Sequence, residues 1–185
     1  GTFCYGSAIY LEDVDGDIYI EDNSIQGNVN QGETVGLATI IIWSYVNPDA
    51  LVQIKNNLIS GNIAYGDNPY ATAIWLKDTR MLEIEINGNI IADQHGLMGS
   101  GLYARNAYNY RLLNNLFTGN SSTTYGGAVW ASLYATNNRD NLPKSSFRPL
   151  YANNTFINNY AEEWGGAIYF TYTYDSICPI FLNNI

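Results

Sequence analysis

Charge is scarce in this chain. Of its 185 residues only 14% are Asp, Glu, Lys or Arg, against the ~25% usual in globular domains. Basic residues are scarcest: eight Lys plus Arg against 17 Asp plus Glu leave a formal net charge of −9. That balance excludes a phosphate-tracking surface for nucleic acid and an anionic membrane surface, because both need clustered cations. Long apolar runs are missing as well. The longest, around Leu37 to Trp43, falls far short of the ~20 residues of a membrane-spanning helix. Two cysteines, Cys4 and Cys178, lie near opposite ends and make no disulfide framework. There is one histidine, His95, and no zinc spacing, phosphate-binding loop or nucleophile motif. No start Met or leader is present, so a processed or excised segment is expected.

What fills the space is Asn, Gly and Tyr, arranged as a repeat. The Asn-rich halves read IYIEDNSIQGN (18–28), VQIKNNLISGN (52–62), EIEINGNIIADQ (83–94), YRLLNNLFTGN (110–120), PLYANNTFINN (149–159) and a shortened CPIFLNNI (178–185). Between them stand SAIYL (7–11), IIIWS (40–44), TAIWL (72–76), SGLYA (100–104), GAVWA (127–131) and GAIYF (166–170). Aligning the copies produces columns. One holds Asn23, Asn57, Asn89, Asn115, Asn154 and Asn184; two residues on comes Ile25, Ile59, Ile91, Phe117 or Phe156. A second amide column holds Asn28, Asn62, Gln94, Asn120 and Asn159. Within each segment the apolar period is two, as in a strand. Short strands punctuated by Asn and Gly predict an all-β fold, a right-handed parallel β-helix of about five to six turns with three strands per turn. Inward Asn side chains are expected to hand hydrogen bonds along the axis as a ladder, satisfying groups that would otherwise cost ~1–3 kcal/mol each.

FTGN (117–120) followed by YGGAVW, and FINN (156–159) followed by WGGAIY, resemble the paired FxxN and GGA[ILV] motifs of chlamydial polymorphic outer-membrane proteins and of similar adhesin-like repeats. Two repeats match well. ISGN (59–62) and IQGN (25–28) lack Phe, and IADQ (91–94) lacks the final Asn. The resemblance implies a surface-exposed β-helix passenger or adhesin, without naming a ligand.

Candidate chemistry is sparse. Tyr10, Trp43, Trp75, Tyr103, Trp130 and Tyr169 follow an aliphatic column, and strand alternation turns them outward. They predict either a flat aromatic platform for sugars or proteins, or a stack that shields the sheet. EDVDGD (12–17) alternates Asp13, Asp15 and Asp17, so calcium is a candidate, although the Gly stands fourth rather than sixth as in an EF-hand loop. The other reading is a solvated acidic corner. Two sequons, at Asn120 and Asn153, are candidate glycosylation sites. His95 reads as a corner residue, and adjacent Glu162 and Glu163 are poorly arranged for acid/base work. The connection over 132–149 carries Arg139, Lys144 and Arg148 and reads as a side loop.

Residues 1–185 are therefore expected to form one β-helix segment, a fragment of a longer solenoid or a unit that stacks end to end. Its expected role is extracellular: an adhesive or structural stalk, non-catalytic and without cofactor, meeting glycans, proteins or copies of itself. The alternatives are a carbohydrate-active β-helix enzyme and a filament subunit. Across about five turns Cys4 and Cys178 would stand roughly 20–25 Å apart, too far for an intrachain disulfide; a link between molecules is left open.

Overall fold

The computed structural model describes residues 8–31, 38–43, 50–65, 70, 72–79, 82–133, 148–172 and 178–185. Among the described residues strands pair only in parallel, each with its counterpart one repeat away, and build four sheets of five or six strands. Sheet A contains Ile9–Glu12, Ile40–Trp43, Ile74–Lys77, Leu102–Arg105, Val129–Leu133 and Ile168–Tyr172. Sheet B contains Ile18–Glu21, Leu51–Lys55, Glu83–Asn87, Tyr110–Leu113, Leu150–Ala152 and Ile180–Leu182. Sheet C contains Ser24–Gln26, Leu58–Ser60, Ile90–Ala92, Leu116–Thr118 and Thr155–Ile157. Sheet D contains Val29–Gln31, Ile63–Tyr65, His95–Met98, Ser121–Tyr125 and Tyr160–Ala161. The chain runs A–B–C–D five times and then adds a further A and B strand: a right-handed parallel β-helix. Each turn thus has four strands, not three. The fourth hid because sheet D carries no column of large apolar residues, so it read as connection.

Corners explain the composition. At the changes of sheet that lie among the described residues the backbone passes through the left-handed region, which disfavours a Cβ except on Asn and Asp, whose short polar side chains bond locally. Asp78 and Asn106 turn A into B; Asn56, Asn114 and Asn153 turn B into C; Asp93 and Asn158 turn C into D, all with φ between 52° and 55°. The D-to-A corner is built on Gly126 and Gly165, at φ 62° and 68°.

Inside, the alternate residues of the sheets meet in one apolar core that includes Ile42, Ile54, Ile59, Ile74, Ile86, Leu112 and Phe117, none more than 1% exposed. Among them lie Tyr110 and Tyr151, whose hydroxyls bond to each other in the interior. Burial pushes both phenols well above their ordinary value. A raised folded-state pKa means stability is complete below the unfolded value of ~10 and is lost as pH climbs past it. Alkaline titration is expected to show these two phenols ionising only together with loss of the strand circular-dichroism signal. Replacing both by Phe should move that transition to higher pH, since removing both partners of a buried pair leaves no orphan. Early, non-cooperative ionisation of all tyrosines would contradict this.

The first amide column forms an unbroken ladder. Asn57 Oδ1 accepts the backbone N–H and the Nδ2–H of Asn23 at 2.9 and 3.0 Å. Asn57 Nδ2 donates to Ile20 O in the preceding turn and to Asn89 Oδ1 in the next, at 2.8 and 2.9 Å. The same set recurs through Asn89, Asn115 and Asn154 to Asn184. Every polar atom of an internal amide is thereby used, and this is why an amide, rather than an aliphatic residue, occupies the buried positions 57, 89, 115 and 154.

The second column is flawed. Asn28 bonds Asn62, and Asn120 bonds Asn159, in the same way. Gln94, one methylene longer, turns its Nε2 to Ile59 O and Ala92 O and leaves a buried Oε1 without a partner. Nearby, the His95 N–H reaches Asn62 O at 3.4 Å, and the pairing of sheet D shifts register between Gly96 and Met98. Gln94→Asn is expected to restore the missing acceptor and stabilise the protein by about 1–2 kcal/mol. In a chain of this length that is a rise in Tm of roughly 2–6 °C. An unchanged or lower Tm would show that the orphaned oxygen is not what weakens this step.

Candidate functional site

Sheet A turns aromatic residues away from the core, as alternation requires, but the row differs from the expected one. Cross-strand neighbours are Tyr10, Ile41, Trp75, Tyr103, Trp130 and Tyr169. Trp43 lies two residues further along, in line with Glu12, Lys77 and Arg105. Three consecutive isoleucines carry no phase of their own. Both Ile40 and Ile42 are core residues, so Ile41 takes the outward place assigned to Trp43.

Nor is this row an open platform. Trp75 is 1% and Trp130 8% exposed, with Tyr103 buried between them. They form a second apolar cluster outside the helix, with Ala38, Ile41, Met98, Tyr70 and Tyr125. Tyr103 stacks on Trp130 at 4.4 Å and 7°, and Trp75 meets Tyr103 edge-on at 5.8 Å. The Lys77 ammonium lies 3.1 Å above the centre of the Trp43 ring. Its burial there lowers its pKa. The cluster's other members were missed in the sequence. Met98 pairs with Tyr125, and Tyr125 bridges to Trp164; each immediately precedes a left-handed glycine. The signal was the large residue before Gly in LMG, TYG and EWG. Of this group Trp164 is the open one, 57% exposed, and it stacks on Tyr125 at 5.1 Å.

The remaining candidates separate. Asp17 is engaged: its Oδ1 accepts Leu51 N–H at 2.9 Å and its Oδ2 accepts the Tyr19 hydroxyl. Asp13 and Asp15 are exposed, and the three carboxylates do not converge; no group of three or more His, Cys, Asp or Glu able to hold a metal occurs among the described residues. His95 sits in a strand rather than a corner, exposed, with Nδ1 2.6 Å from Ser121 Oγ. Asn120 is 0% exposed and Asn153 exposed, which divides the two sequons. Cys178 is a free, exposed thiol, while Cys4, Arg139 and Lys144 lie outside the described residues. Arg148 donates from Nε to Cys178 O at 3.0 Å. The outer face of sheet B carries an ion pair between Lys55 and Glu85 at 3.1 Å. Partial burial pushes the Glu85 carboxyl up, but hydrogen bonds from Asn87 and Lys55 outweigh it and hold the pKa below the ordinary value.

The motif residues themselves point inward. Phe117 is fully buried and stacks on Phe156 at 5.1 Å, Asn120 belongs to the second ladder, and Gly126 supplies a left-handed corner. Such a chain is a parallel β-helix repeat module. Within it, residues 116–132 and 155–171 match the Chlamydia polymorphic membrane protein (Chlamydia_PMP) repeat, a likeness covering parts of two consecutive turns. No curated protein and no solved structure matches the chain.

Proposed function

We propose that this β-helix is a rigid, non-catalytic rod segment of a secreted or cell-surface protein, serving as an adhesive or structural stalk. The observation that carries the reading is the unbroken Asn ladder, which commits the inward polar side chains from Asn23 to Asn184 to axial continuity. The two matched repeats support the cell-surface location by likeness. In this reading the partners are glycans or proteins of an opposing surface, or neighbouring copies, and they meet outer faces of the sheets rather than the motif residues. No cofactor is required.

The test is labelling of intact cells of the source organism with antibodies against the folded solenoid, followed by blocking of attachment with their Fab fragments. Labelling without permeabilisation and a several-fold drop in attachment are expected. Labelling seen only after permeabilisation would overturn the location. Surface labelling with unaffected attachment would leave the stalk and remove the adhesive role.

A further inference from the structure

We propose that Asn153 is an N-glycan acceptor, and that the fold admits a glycan there while rejecting one at the second sequon, Asn120. The proposal deepens the secreted reading by adding a modification to the same outer surface. Both sites satisfy the N-x-S/T rule, in Asn153-Asn154-Thr155 and Asn120-Ser121-Ser122. Sequence cannot choose between them; the corner geometry can.

Asn153 stands at the corner between sheets B and C, with φ 55°. Its backbone N–H goes to Leu182 O at 2.9 Å. The side chain makes no hydrogen bond to the protein and is exposed. Exposure here belongs to the corner as such, because Asp22, Asn56 and Asn114 occupy the same place in other turns and are exposed too. Thr155, whose hydroxyl completes the sequon, follows in sheet C and is part-exposed. A sugar on Asn153 Nδ2 would therefore project sideways from the solenoid without displacing a contact.

Asn120 is the opposite case. Its Nδ2 uses one hydrogen on Ile91 O and the other on Asn159 Oδ1, both at 2.9 Å. The sequon's hydroxyl, on Ser122, is 2% exposed and already donates to Gly126 O at 3.0 Å. A glycan here would remove one Nδ2 hydrogen, leave a buried acceptor unpaired and drive a sugar between two turns. Buried polar orphans of this kind cost about 1–3 kcal/mol before any steric term.

The chemistry balances with a polyisoprenyl-pyrophosphate-linked oligosaccharide as donor and an oligosaccharyltransferase as catalyst. Asn153 Nδ2 attacks the anomeric carbon, the N–C1 bond forms, and the C1–O bond to the pyrophosphate breaks. The lipid pyrophosphate leaves, and the displaced amide proton passes to the transferase. Because Asn154, between acceptor and hydroxyl, is locked in the ladder, transfer precedes docking of this turn. The finished fold then decides which product survives.

The experiment is secretion of residues 1–185 from a eukaryotic host. Occupied sites are read by peptide:N-glycosidase F digestion in heavy-oxygen water and mass spectrometry. Cell-free translation with microsomes gives the same readout should secretion be poor. Expected are a folded product carrying one glycan, on Asn153, and its complete loss in Thr155→Val, a variant that keeps the corner Asn. Ser122→Ala should leave the glycan count of the folded fraction unchanged. Folded protein without sugar on Asn153, or folded protein bearing sugar on Asn120, overturns the proposal. Acceptor competence is measured away from the source organism. A negative result here thus leaves the cell-surface reading standing, and failed surface labelling leaves this one.

Discussion

Asn115→Ala is expected to lower the unfolding free energy by about 3–6 kcal/mol, summing two to three orphaned buried groups. That is a large share of the ~5–15 kcal/mol typical of a folded domain. The Asn115 Oδ1 accepts both the backbone N–H and the Nδ2–H of Asn89 at 2.9 Å, and its own Nδ2 donates to Ile86 O at 2.9 Å and to Asn154 Oδ1 at 3.0 Å. Alanine supplies none of these, and water has no access to a residue that is 2% exposed. The preceding residue makes the control. Asn114 is exposed and gives one surface bond, to Asn87 Oδ1 at 3.0 Å. Asn114→Ala therefore costs chiefly the left-handed backbone penalty, ~1–2 kcal/mol. Urea denaturation of the two variants decides: equal midpoints would sink the idea that the ladder dominates. Asn115→Asp adds a sign test. Its ionised carboxylate keeps both acceptors but faces Ile86 O and Asn154 Oδ1 without a hydrogen, so acidification should recover part of the loss.

Gly127→Ala is expected to destabilise by about 3 kcal/mol, the upper end for overpacking. A Cβ on Gly127 would run into the carbonyl oxygens of Gly166 and Tyr160 and lie 2.7 Å from the Tyr160 carbonyl carbon. All three are backbone atoms of the next turn, so no side chain can swing aside. Only a wider separation of two turns relieves the clash, and sheets and ladders resist that together. The equivalent residue one turn on gives the contrast. At Gly166 the nearest atom to an added Cβ is Asn159 O at 3.3 Å, so Gly166→Ala should cost well under half as much. Hydrogen exchange should show loosening concentrated where residues 121–133 meet 160–172. A uniform loss of protection would point to global rather than local misfit.

These two positions also show how far the sequence could be read. Asn115 was legible as a ladder residue because an amide that recurs beside an apolar column has one physical use, to bond its own copies. Gly127 was legible as half of a motif but not in its role. Its φ is unremarkable, and its need for a bare Cα comes from atoms 33 and 39 residues away. Sheet D was invisible for a related reason: Ser121, Tyr160 and His95 face outward there with no shared chemistry to form a column. Trp43 went astray because IIIW has no alternation from which to take a register. The aromatic row was located on the right face. Its burial depends on what packs against it from outside the repeat, and periodicity carries no information about that. Asp13, Asp15 and Asp17 form no group of three that could hold a metal: alternation of Asp along a chain does not by itself bring carboxylates to a common point.

The ladder has a mechanical consequence. Its bonds, like those of the four sheets, run parallel to the solenoid axis, so tension between the two ends loads the turns in series rather than sharing force among them. The weakest junction yields first and each release feeds out one loop of chain. The spacing between successive ladder residues is 34, 32, 26, 39 and 30. At ~3.4 Å per residue the increments are roughly 120, 110, 90, 130 and 100 Å. A solenoid built this way is short and stiff at rest. Under a strong enough pull it becomes a long extensible tether, paid out in unequal steps.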